Sequence, residues 1–302
     1  MKYFVTGVCG QLGFDVLRRL GERGLPAAGS DLPERYTGPA LPDMEYVSAD
    51  ITDRESVAEA VLAARPDCVI HCAAWTRVDA AEDSPGACRL VNAEGTRNVA
   101  EACRRVGASM IYISTDYVFN GRGEEPWEPD SKSIDPLNVY GQTKREGELA
   151  AAALVSRLFV VRTSWVFGLN GQNFVRAMLR LGREKSLVRV VSDQIGTPCY
   201  TYDLAGLLVS MSLTEKYGFY HASNEGGYIS WYDFACEIFR QAGLDTRAGP
   251  VTTEEYGLSK APRPHNSRLN KDKLERCGFG RLPHWRDALA RYLQELKEHS
   301  GE

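Results

Sequence analysis

The chain has 302 residues, of which 43% are hydrophobic and 25% are charged, a composition typical of globular proteins and unlike that of disordered or fibrous chains. Its 36 Lys and Arg residues face 40 Asp and Glu residues, and the net charge of −4 argues against nucleic acid as a partner. No apolar run approaches the length of a membrane-spanning helix, and the N-terminus lacks the pattern of a secretory signal. The eight cysteines form no C-x-x-C pair, which indicates reduced thiols and a cytoplasmic protein.

The first half of the sequence alternates β-rich runs with helical periodicity. The runs predict strands over residues 2–6, 27–31, 44–48, 68–72, 109–114 and 158–162. Between them, the periodicity predicts a helix containing Leu12 to Leu20 and further helices over 52–64, 88–105 and 138–153. This alternation with short connections predicts an α/β fold: a doubly wound parallel sheet with helices on both faces.

Beyond residue 168 the alternation becomes less regular. Helices are predicted over 174–185, 202–212, 230–242 and 283–297, with short isolated strands between them. We therefore expect two domains: residues 1–168 carry the sheet, and residues 169–302 are mainly a smaller α/β domain over its carboxyl edge. Part of the second domain is expected to return to the sheet.

Three glycines, Gly7, Gly10 and Gly13, lie between the first predicted strand and the first predicted helix. A pyrophosphate can rest on a helix N-terminus only where side chains do not block its approach to the backbone. Gly7 would make the tight turn, Gly10 would allow that approach, and Gly13 would let the helix pack close to the strand. The turn, together with Gln11 and Leu12, thus predicts a dinucleotide-binding Rossmann domain.

Two carboxylates follow the next strands. Asp31 ends the second predicted strand, where an acid can accept hydrogen bonds from the adenosine ribose and favour NAD. Arg35 could instead meet a 2′-phosphate, so both NAD(H) and NADP(H) remain open. Asp50, with the neighbouring backbone at Ile51, is placed either to contact the adenine amino group or to cap a helix.

Tyr140 and Lys144 stand four residues apart and therefore on one face of a predicted helix. A free phenol has a pKa of about 10, and a nearby ammonium stabilises the phenolate and lowers that value. Thr115 ends the fifth predicted strand, where a hydroxyl can hold a substrate carbonyl. Ligands of open parallel sheets bind beyond the carboxyl ends of the strands, so we expect these three residues to converge there.

These residues resemble the extended short-chain dehydrogenase/reductase family and, within it, the dTDP-4-dehydrorhamnose reductases. The motifs that carry the resemblance are residues 73–76 with 78–79, 114–119, 136–141, 162–166, 193–198 and 263–269. The resemblance implies transfer of a hydride from NADPH or NADH to the C4 ketone of a dTDP-6-deoxy-4-hexulose. In it, Tyr140 would donate the proton, Thr115 would hydrogen-bond the ketone oxygen, and Lys144 would lower the pKa of the phenol.

The same resemblance implies contacts for both ligands. Besides the glycine turn and the acids after it, the residues expected to contact the cofactor are Ala73, Ala74, Thr76, Tyr140 and Lys144. The residues expected to contact the nucleotide sugar are Asp116, Tyr117 and Trp165 around the sugar, with Arg263 and Asn266 toward the diphosphate.

The sequence departs from this pattern at the end of the fourth predicted strand. His71 stands where asparagine is expected, and we interpret it as a hydrogen-bonded core histidine. Some relatives form a Mg²⁺-bridged dimer; Asp15 is a weak candidate ligand, and no others can be assigned, so a metal is doubtful. The sequence leaves monomer and homodimer open.

Two other functions use the same scaffold. Nucleotide-sugar epimerases and 4,6-dehydratases share the glycine turn and the Tyr–Lys pair, but dehydratases have an Asp-Glu pair where this chain has Asp116-Tyr117. A non-catalytic NADP-binding protein similar to the regulatory subunit of methionine adenosyltransferase is the second alternative.

Overall fold

The computed structural model describes residues 1–41 and 44–300. Residues 301 and 302, which end the second predicted domain, lie outside the described residues. The strands are β1 (Tyr3–Thr6), β2 (Ala27–Asp31), β3 (Glu45–Ser48), β4 (Cys68–His71), β5 (Ser109–Thr115), β6 (Leu158–Thr163), β7 (Val166–Phe167), β8 (Leu187–Val191), β9 (Ile195–Gly196), β10 (Cys199–Tyr200), β11 (Gly218–His221), β12 (Asn224–Glu225), β13 (Ile229–Ser230), β14 (Arg247–Val251) and β15 (Leu282–His284).

Helices connect these strands throughout the chain. They are α1 (Gln11–Glu22), α2 (Arg54–Ala64), α3 (Val78–Asp83), α4 (Pro85–Arg89), α5 (Thr96–Val106), α6 (Val139–Leu154), α7 (Phe174–Glu184), α8 (Thr201–Ser212), α9 (Trp231–Ala242), α10 (Thr253–Tyr256), α11 (Asp272–Arg276) and α12 (Trp285–Ser300). None of them, within the described residues, is both long and apolar enough to cross a membrane.

The centre of the molecule is a seven-stranded sheet in the order β11-β6-β5-β4-β1-β2-β3. Every neighbouring pair in it is parallel. The order reverses between β1 and β4, and this reversal opens a crevice at the carboxyl ends of the two strands. The predicted doubly wound parallel fold is therefore confirmed.

Both faces of the sheet are covered because its strands bury alternate side chains in opposite directions. One face packs against α1 and α8 through Tyr3, Val5, Ile70, Ile111 and Phe159. The other packs against α2, α5 and α6 through Phe4, Val69, Met110, Tyr112 and Val160. The helix α8 and the strand β11 both come from the second half of the chain, which thus completes one face and one edge of the sheet.

Local capping sets where three functional helices begin. The Asp53 carboxylate accepts hydrogen bonds from the Glu55 and Ser56 amides and starts α2. Asn138 accepts from the Gly141 amide at 2.8 Å and starts α6. Ser230 and Asp233 form a reciprocal capping box that starts α9.

The single helix predicted over 88–105 is interrupted in the structure by a π-helical segment, Leu90–Gly95. The side chain of Asn92 inside this segment accepts from the Trp75 amide and donates to the Trp75 carbonyl. π-helical turns inside helices are frequently found at functional sites. The last predicted helix also differs: Pro283 lies in β15, and α12 begins at Trp285.

The rest of the C-terminal half packs around its own aromatic cluster. Phe167, Tyr200, Phe234, Trp285 and Tyr292 are buried together, enclosed by α7, α9 and α12. The strands β8 and β14 form a separate parallel pair. The division at residue 168 stays a prediction.

Candidate active site

A cleft of about 750 Å³ opens at the carboxyl ends of the sheet strands. The predicted cofactor residues that line it are Gly7, Gly10, Gln11, Leu12, Gly13, Asp31, Asp50, Ile51, Ala73, Ala74, Thr76, Tyr140 and Lys144. Thr115, Asp116, Tyr117 and Trp165 line it as well. The structure thus brings most of the predicted site residues to one continuous surface.

In the glycine turn, backbone atoms occupy the space where side chains would stand. Gly7 has φ +73°, and a Cβ there would lie 2.6 Å from the Ala73 nitrogen. A Cβ on Gly13 would lie 2.2 Å from the Gly7 carbonyl oxygen. Gly10 is the N-cap of α1, and its amide donates to the same oxygen at 3.1 Å. The free amides of the first turn of α1 therefore face the cleft, an arrangement that fits a pyrophosphate.

The two predicted acids lie at the next strand ends, and each is held by backbone amides. The Asp31 carboxylate accepts from the Cys9 and Leu32 amides, each at 2.8 Å. The Asp50 carboxylate accepts from the amide and the hydroxyl of Thr52, each at 2.8 Å. Both carboxylates are thereby fixed in the cleft wall, where ribose and adenine groups of a dinucleotide would lie.

Thr115, Tyr140 and Lys144 meet where β5 and α6 converge. The Thr115 hydroxyl donates to the Asp116 carboxylate at 3.0 Å. The Lys144 ammonium lies 4.2 Å from the centre of the Tyr112 ring, in cation–π contact. The Tyr112 hydroxyl donates to the Lys144 carbonyl at 3.1 Å, so the turn of α6 that carries the lysine is fixed to β5.

The pKa of Tyr140 is shifted in the direction opposite to the one expected from the sequence. Burial raises the pKa of Tyr140, and the hydrogen bond with Thr115 opposes that rise without cancelling it. Burial also lowers the pKa of Lys144 to about 7, against the opposing charge of Glu148. In this cleft desolvation outweighs the predicted effect of Lys144 on the phenol. Tyr140 is therefore a neutral phenol at pH 7, the form that donates a proton.

A buried ion pair ties together the elements that carry these residues. The Glu148 carboxylate on α6 accepts two hydrogen bonds from the Arg162 guanidinium on β6, at 2.7 and 2.9 Å. It also accepts from the Ser114 hydroxyl at 2.6 Å, next to Thr115 on β5. One carboxylate thus joins α6, β5 and β6 directly beneath the cleft.

His71 is a hydrogen-bonded core residue, as interpreted from the sequence. It is 1% exposed and lies 2.7 Å from the Thr6 hydroxyl and 3.1 Å from the Thr96 hydroxyl. Burial lowers its pKa to about 3, so the imidazole is neutral. The Thr6 hydroxyl in turn accepts from the Ala73 amide, which links this core contact to the cleft wall.

The two residues expected near a diphosphate lie outside the cleft lining. The Asn266 side chain is buried and donates to the carbonyls of Arg122 and Glu125, which fixes the loop after β5. Arg263 lies at the rim, where it donates to the Tyr117 hydroxyl at 3.3 Å and to the Asp79 carboxylate at 2.6 Å. Arg263 thus contacts one residue of the cleft lining, Tyr117, without lining the cleft itself. Asn266 does not line the cleft either.

Two further candidates, Arg35 for a 2′-phosphate and Asp15 for Mg²⁺, are not placed where they could bind these ligands. Arg35 is exposed and is not part of the cleft lining. The Asp15 carboxylate, fully buried, accepts from Arg18 at 3.0 Å and from the Thr201 hydroxyl. Among the described residues, no three side chains that could ligate a metal gather at one point. Asp15, the weak magnesium candidate, thus gains no support as a metal ligand, since Arg18 already supplies a cation to that carboxylate.

Sequence reasoning missed two parts of the cleft wall. Residues 170–172 line it from beyond the predicted boundary at residue 168, and the Asn170 side-chain amide donates to the Cys9 carbonyl at 2.8 Å, across the glycine turn. Trp231, the first residue of α9, also lines it. The capping box at Ser230 and Asp233 was a visible signal for the start of α9, but nothing local placed that start at the cleft.

The chain is similar to known proteins over nearly its whole length. The family profile described as RmlD substrate binding domain matches residues 1–298. The spore coat polysaccharide biosynthesis protein SpsK of Bacillus subtilis (strain 168) is 42% identical over 294 residues, covering 97% of each chain. The dTDP-4-dehydrorhamnose reductase of Streptomyces griseus is 39% identical over 306 residues, covering 99% of this chain and 95% of the relative.

A solved structure extends the similarity to the fold. The dTDP-4-dehydrorhamnose reductase of Bacillus anthracis str. Ames, in complex with NADP, is 38% identical with a TM-score of 0.88. The match covers 97% of this chain and 99% of that chain. The resemblance inferred from the motifs is confirmed, and the chain belongs to the RmlD substrate binding domain family, together with the dTDP-4-dehydrorhamnose reductases.

Proposed function

We propose that this protein reduces the C4 ketone of dTDP-4-dehydro-L-rhamnose to dTDP-L-rhamnose with NADPH or NADH. The observation that carries the proposal is that one cleft holds both the glycine turn and the Thr115, Tyr140 and Lys144 group. The 39% identity to a relative named dTDP-4-dehydrorhamnose reductase supports the choice of substrate. The partner is thus a small nucleotide sugar.

The roles follow from the positions of the side chains. When bound, the reduced nicotinamide supplies the hydride that C4 accepts. Tyr140 donates its phenolic proton to the C4 oxygen, so one hydride and one proton convert the ketone to an alcohol. The Thr115 hydroxyl hydrogen-bonds the same oxygen and stabilises the negative charge that develops on it. Lys144, in its ammonium form, hydrogen-bonds the nicotinamide ribose.

The remaining contacts divide between the two ligands. The space left by the side-chain-free turn fits the pyrophosphate of the cofactor, with Asp31 and Asp50 toward the adenosine. Asp116, Tyr117 and Trp165 surround the sugar, and Arg263 holds Tyr117 from the rim. The NADP complex of the Bacillus anthracis relative supports a nicotinamide dinucleotide in this cleft.

The setting of the protein is part of the proposal. All eight cysteines are free thiols, which supports the reducing environment of the cytoplasm. We take the chain to act as a monomer or a homodimer, with residues 1–168 as the dinucleotide-binding domain and the remainder mainly as the substrate domain.

The test is a loss of reduced-nicotinamide absorbance that depends on the dTDP-4-keto sugar. Tyr140→Phe should lower kcat at least about 100-fold, the size expected for a positioned proton donor. Tyr256→Phe removes the same hydroxyl from an exposed helix outside the cleft and should leave kcat unchanged.

The alternatives predict different results in this assay. Cofactor binding without turnover of any keto sugar would support a regulatory binding protein, and conversion of a sugar without net oxidation of the nicotinamide would support an epimerase or dehydratase. Relatives named as reductases do not favour either alternative.

A further inference from the structure

Trp165 has a backbone conformation that bulky residues rarely adopt. Its φ is +48°, in the left-handed region, where most L residues other than glycine are strained. It lies two residues beyond the end of β6, and Thr163 at that end pairs with Thr115 on β5. Strained residues that persist at cleft walls are held there by their surroundings.

The principal contact is a second indole. The ring centroids of Trp165 and Trp231 are 3.7 Å apart, and their planes are inclined by only 14°. Phe174 packs against Trp231 at 4.5 Å. A Cβ on Gly196 would lie 2.9 Å from the Trp165 ring, so this glycine leaves the space that the indole fills. Trp165 is thereby enclosed by aromatic and backbone groups that come from the second half of the chain.

Trp231 is itself fixed by local structure. It is the first residue of α9, immediately after the Ser230–Asp233 capping box. The Ser230 hydroxyl and amide both contact the Asp233 carboxylate, at 2.6 and 2.9 Å. The start of α9, and hence the Trp231 ring, is therefore set before any ligand binds.

Both indoles line the cleft that contains Thr115 and Tyr140. A 6-deoxy sugar has a methyl group and C–H faces that pack well on a flat aromatic surface. We propose that Trp231 is a positioning residue: stacked on Trp165, it holds that indole as a preformed platform for the deoxysugar that Trp165 contacts in the proposed function. The inference rests on the proposed function, whose sugar it positions, and it assigns a role to a helix start in the second half of the chain.

The experiment compares Trp231→Ala, Trp231→Phe and the parent chain. Two indoles in van der Waals contact couple their strong electronic transitions, so the parent should show a far-ultraviolet circular dichroism couplet that Trp231→Ala lacks. With the dTDP-4-keto sugar, Trp231→Ala should lower kcat/KM about 100-fold, the size of a small misplacement of reacting groups, and leave the KM for NADPH unchanged. Trp231→Phe should restore most of the sugar kinetics because it keeps an aromatic ring against Trp165.

A matched control is Trp127→Phe, which alters an indole stacked on Phe119 outside the cleft lining. It should leave both the couplet and the sugar kinetics intact. Unchanged sugar kinetics in Trp231→Ala, or equal losses toward sugar and NADPH, would overturn the inference, as would a parent chain without the couplet.

Calorimetric measurement of dTDP-L-rhamnose binding separates this inference from the proposed function. If the parent does not turn over the keto sugar but binds dTDP-L-rhamnose, and Trp231→Ala weakens that binding, the platform stands and the proposed reaction fails. If the parent turns over the sugar and Trp231→Ala does so equally well, the platform fails and the reaction stands.

Discussion

The buried pair of Arg162 and Glu148 offers a quantitative test of how the site is held together. Their side chains are 2% and 0% exposed. Replacing Arg162 with Met removes two hydrogen bonds to the carboxylate and a third to the Pro129 carbonyl, and it leaves the Glu148 charge in the protein interior. Ser114 and Arg145 still donate to that carboxylate.

Loss of one partner of a buried ion pair costs about 3–5 kcal/mol, because the remaining charge is no longer compensated. The two surviving donors place the expected cost for Arg162→Met near the lower end, at about 3 kcal/mol. With a urea slope of about 3 kcal/mol per molar for a chain of this size, the unfolding midpoint should fall by about 1 M.

Arg145→Met is the matched control. Arg145 contacts the same carboxylate, but its side chain is 27% exposed, so its removal should cost no more than about 1 kcal/mol. The double variant Arg162→Met with Glu148→Gln should be more stable than Arg162→Met alone, because it removes the stranded charge. Urea unfolding of the parent, Arg162→Met, Arg145→Met, Glu148→Gln and the double variant measures this. A cost below about 1 kcal/mol for Arg162→Met, or a loss in the double variant equal to the sum of the losses in Arg162→Met and Glu148→Gln, would refute the reasoning.

The pair also has a pH signature. Burial raises the pKa of Glu148, but the hydrogen bonds and charge of Arg162 outweigh it, and the net shift is downward. The unfolded chain therefore takes up this proton first as the pH falls, so the stabilisation is present at neutral pH and is lost in acid. Arg162→Met should lessen that loss.

Three further predictions concern the cofactor. Gly13→Ala should weaken NADPH binding at least about tenfold, by titration of cofactor fluorescence, since its Cβ would meet the Gly7 carbonyl; Gly21→Ala, with open space around it in the same helix, should not. Because the pKa of Lys144 lies near 7, its ammonium is complete below that pH and lost above it, so NADPH affinity should fall as the pH rises through about 7, and Lys144→Met should abolish this dependence. Asp31→Asn should raise the ratio of NADPH to NADH kcat/KM about tenfold, because it removes a negative charge beside a 2′-phosphate.

Each of the three cofactor predictions has an outcome that would contradict it. Equal affinities for Gly13→Ala and Gly21→Ala would show that the turn does not approach the cofactor. The same pH profile in Lys144→Met as in the parent would assign the titration to another group. An unchanged cofactor ratio in Asp31→Asn would place the ribose away from β2.

Local patterns were sufficient for the sheet and for the positions of the catalytic candidates. The strands are short apolar runs, the turn is made of glycines, and Tyr140 and Lys144 stand one helical turn apart, so each signal lies within a few residues. The parallel order then places every strand end on one edge, which is why widely separated residues could be assigned to one cleft.

What the sequence could not predict depends on tertiary contacts. Burial decides the pKa of Tyr140, and burial comes from elements far apart in the chain. The π-helical segment contains Asn92, which hydrogen-bonds the distant Trp75 backbone, and Trp231 reaches the cleft from α9. Asn266 resembles a ligand residue by motif, but in the fold its amide is used by the loop after β5.

The return of β11 to the sheet has a consequence for how the chain is made. Every residue of β6 is buried, and in the described part of the chain its outer edge pairs with β11, more than fifty positions later. During synthesis, the outer edge of β6 has unpaired backbone hydrogen-bonding groups until β11 has been made. Such an edge is a template for pairing with other nascent chains. A gene fragment ending near residue 168 would therefore yield an aggregating product rather than a separable module.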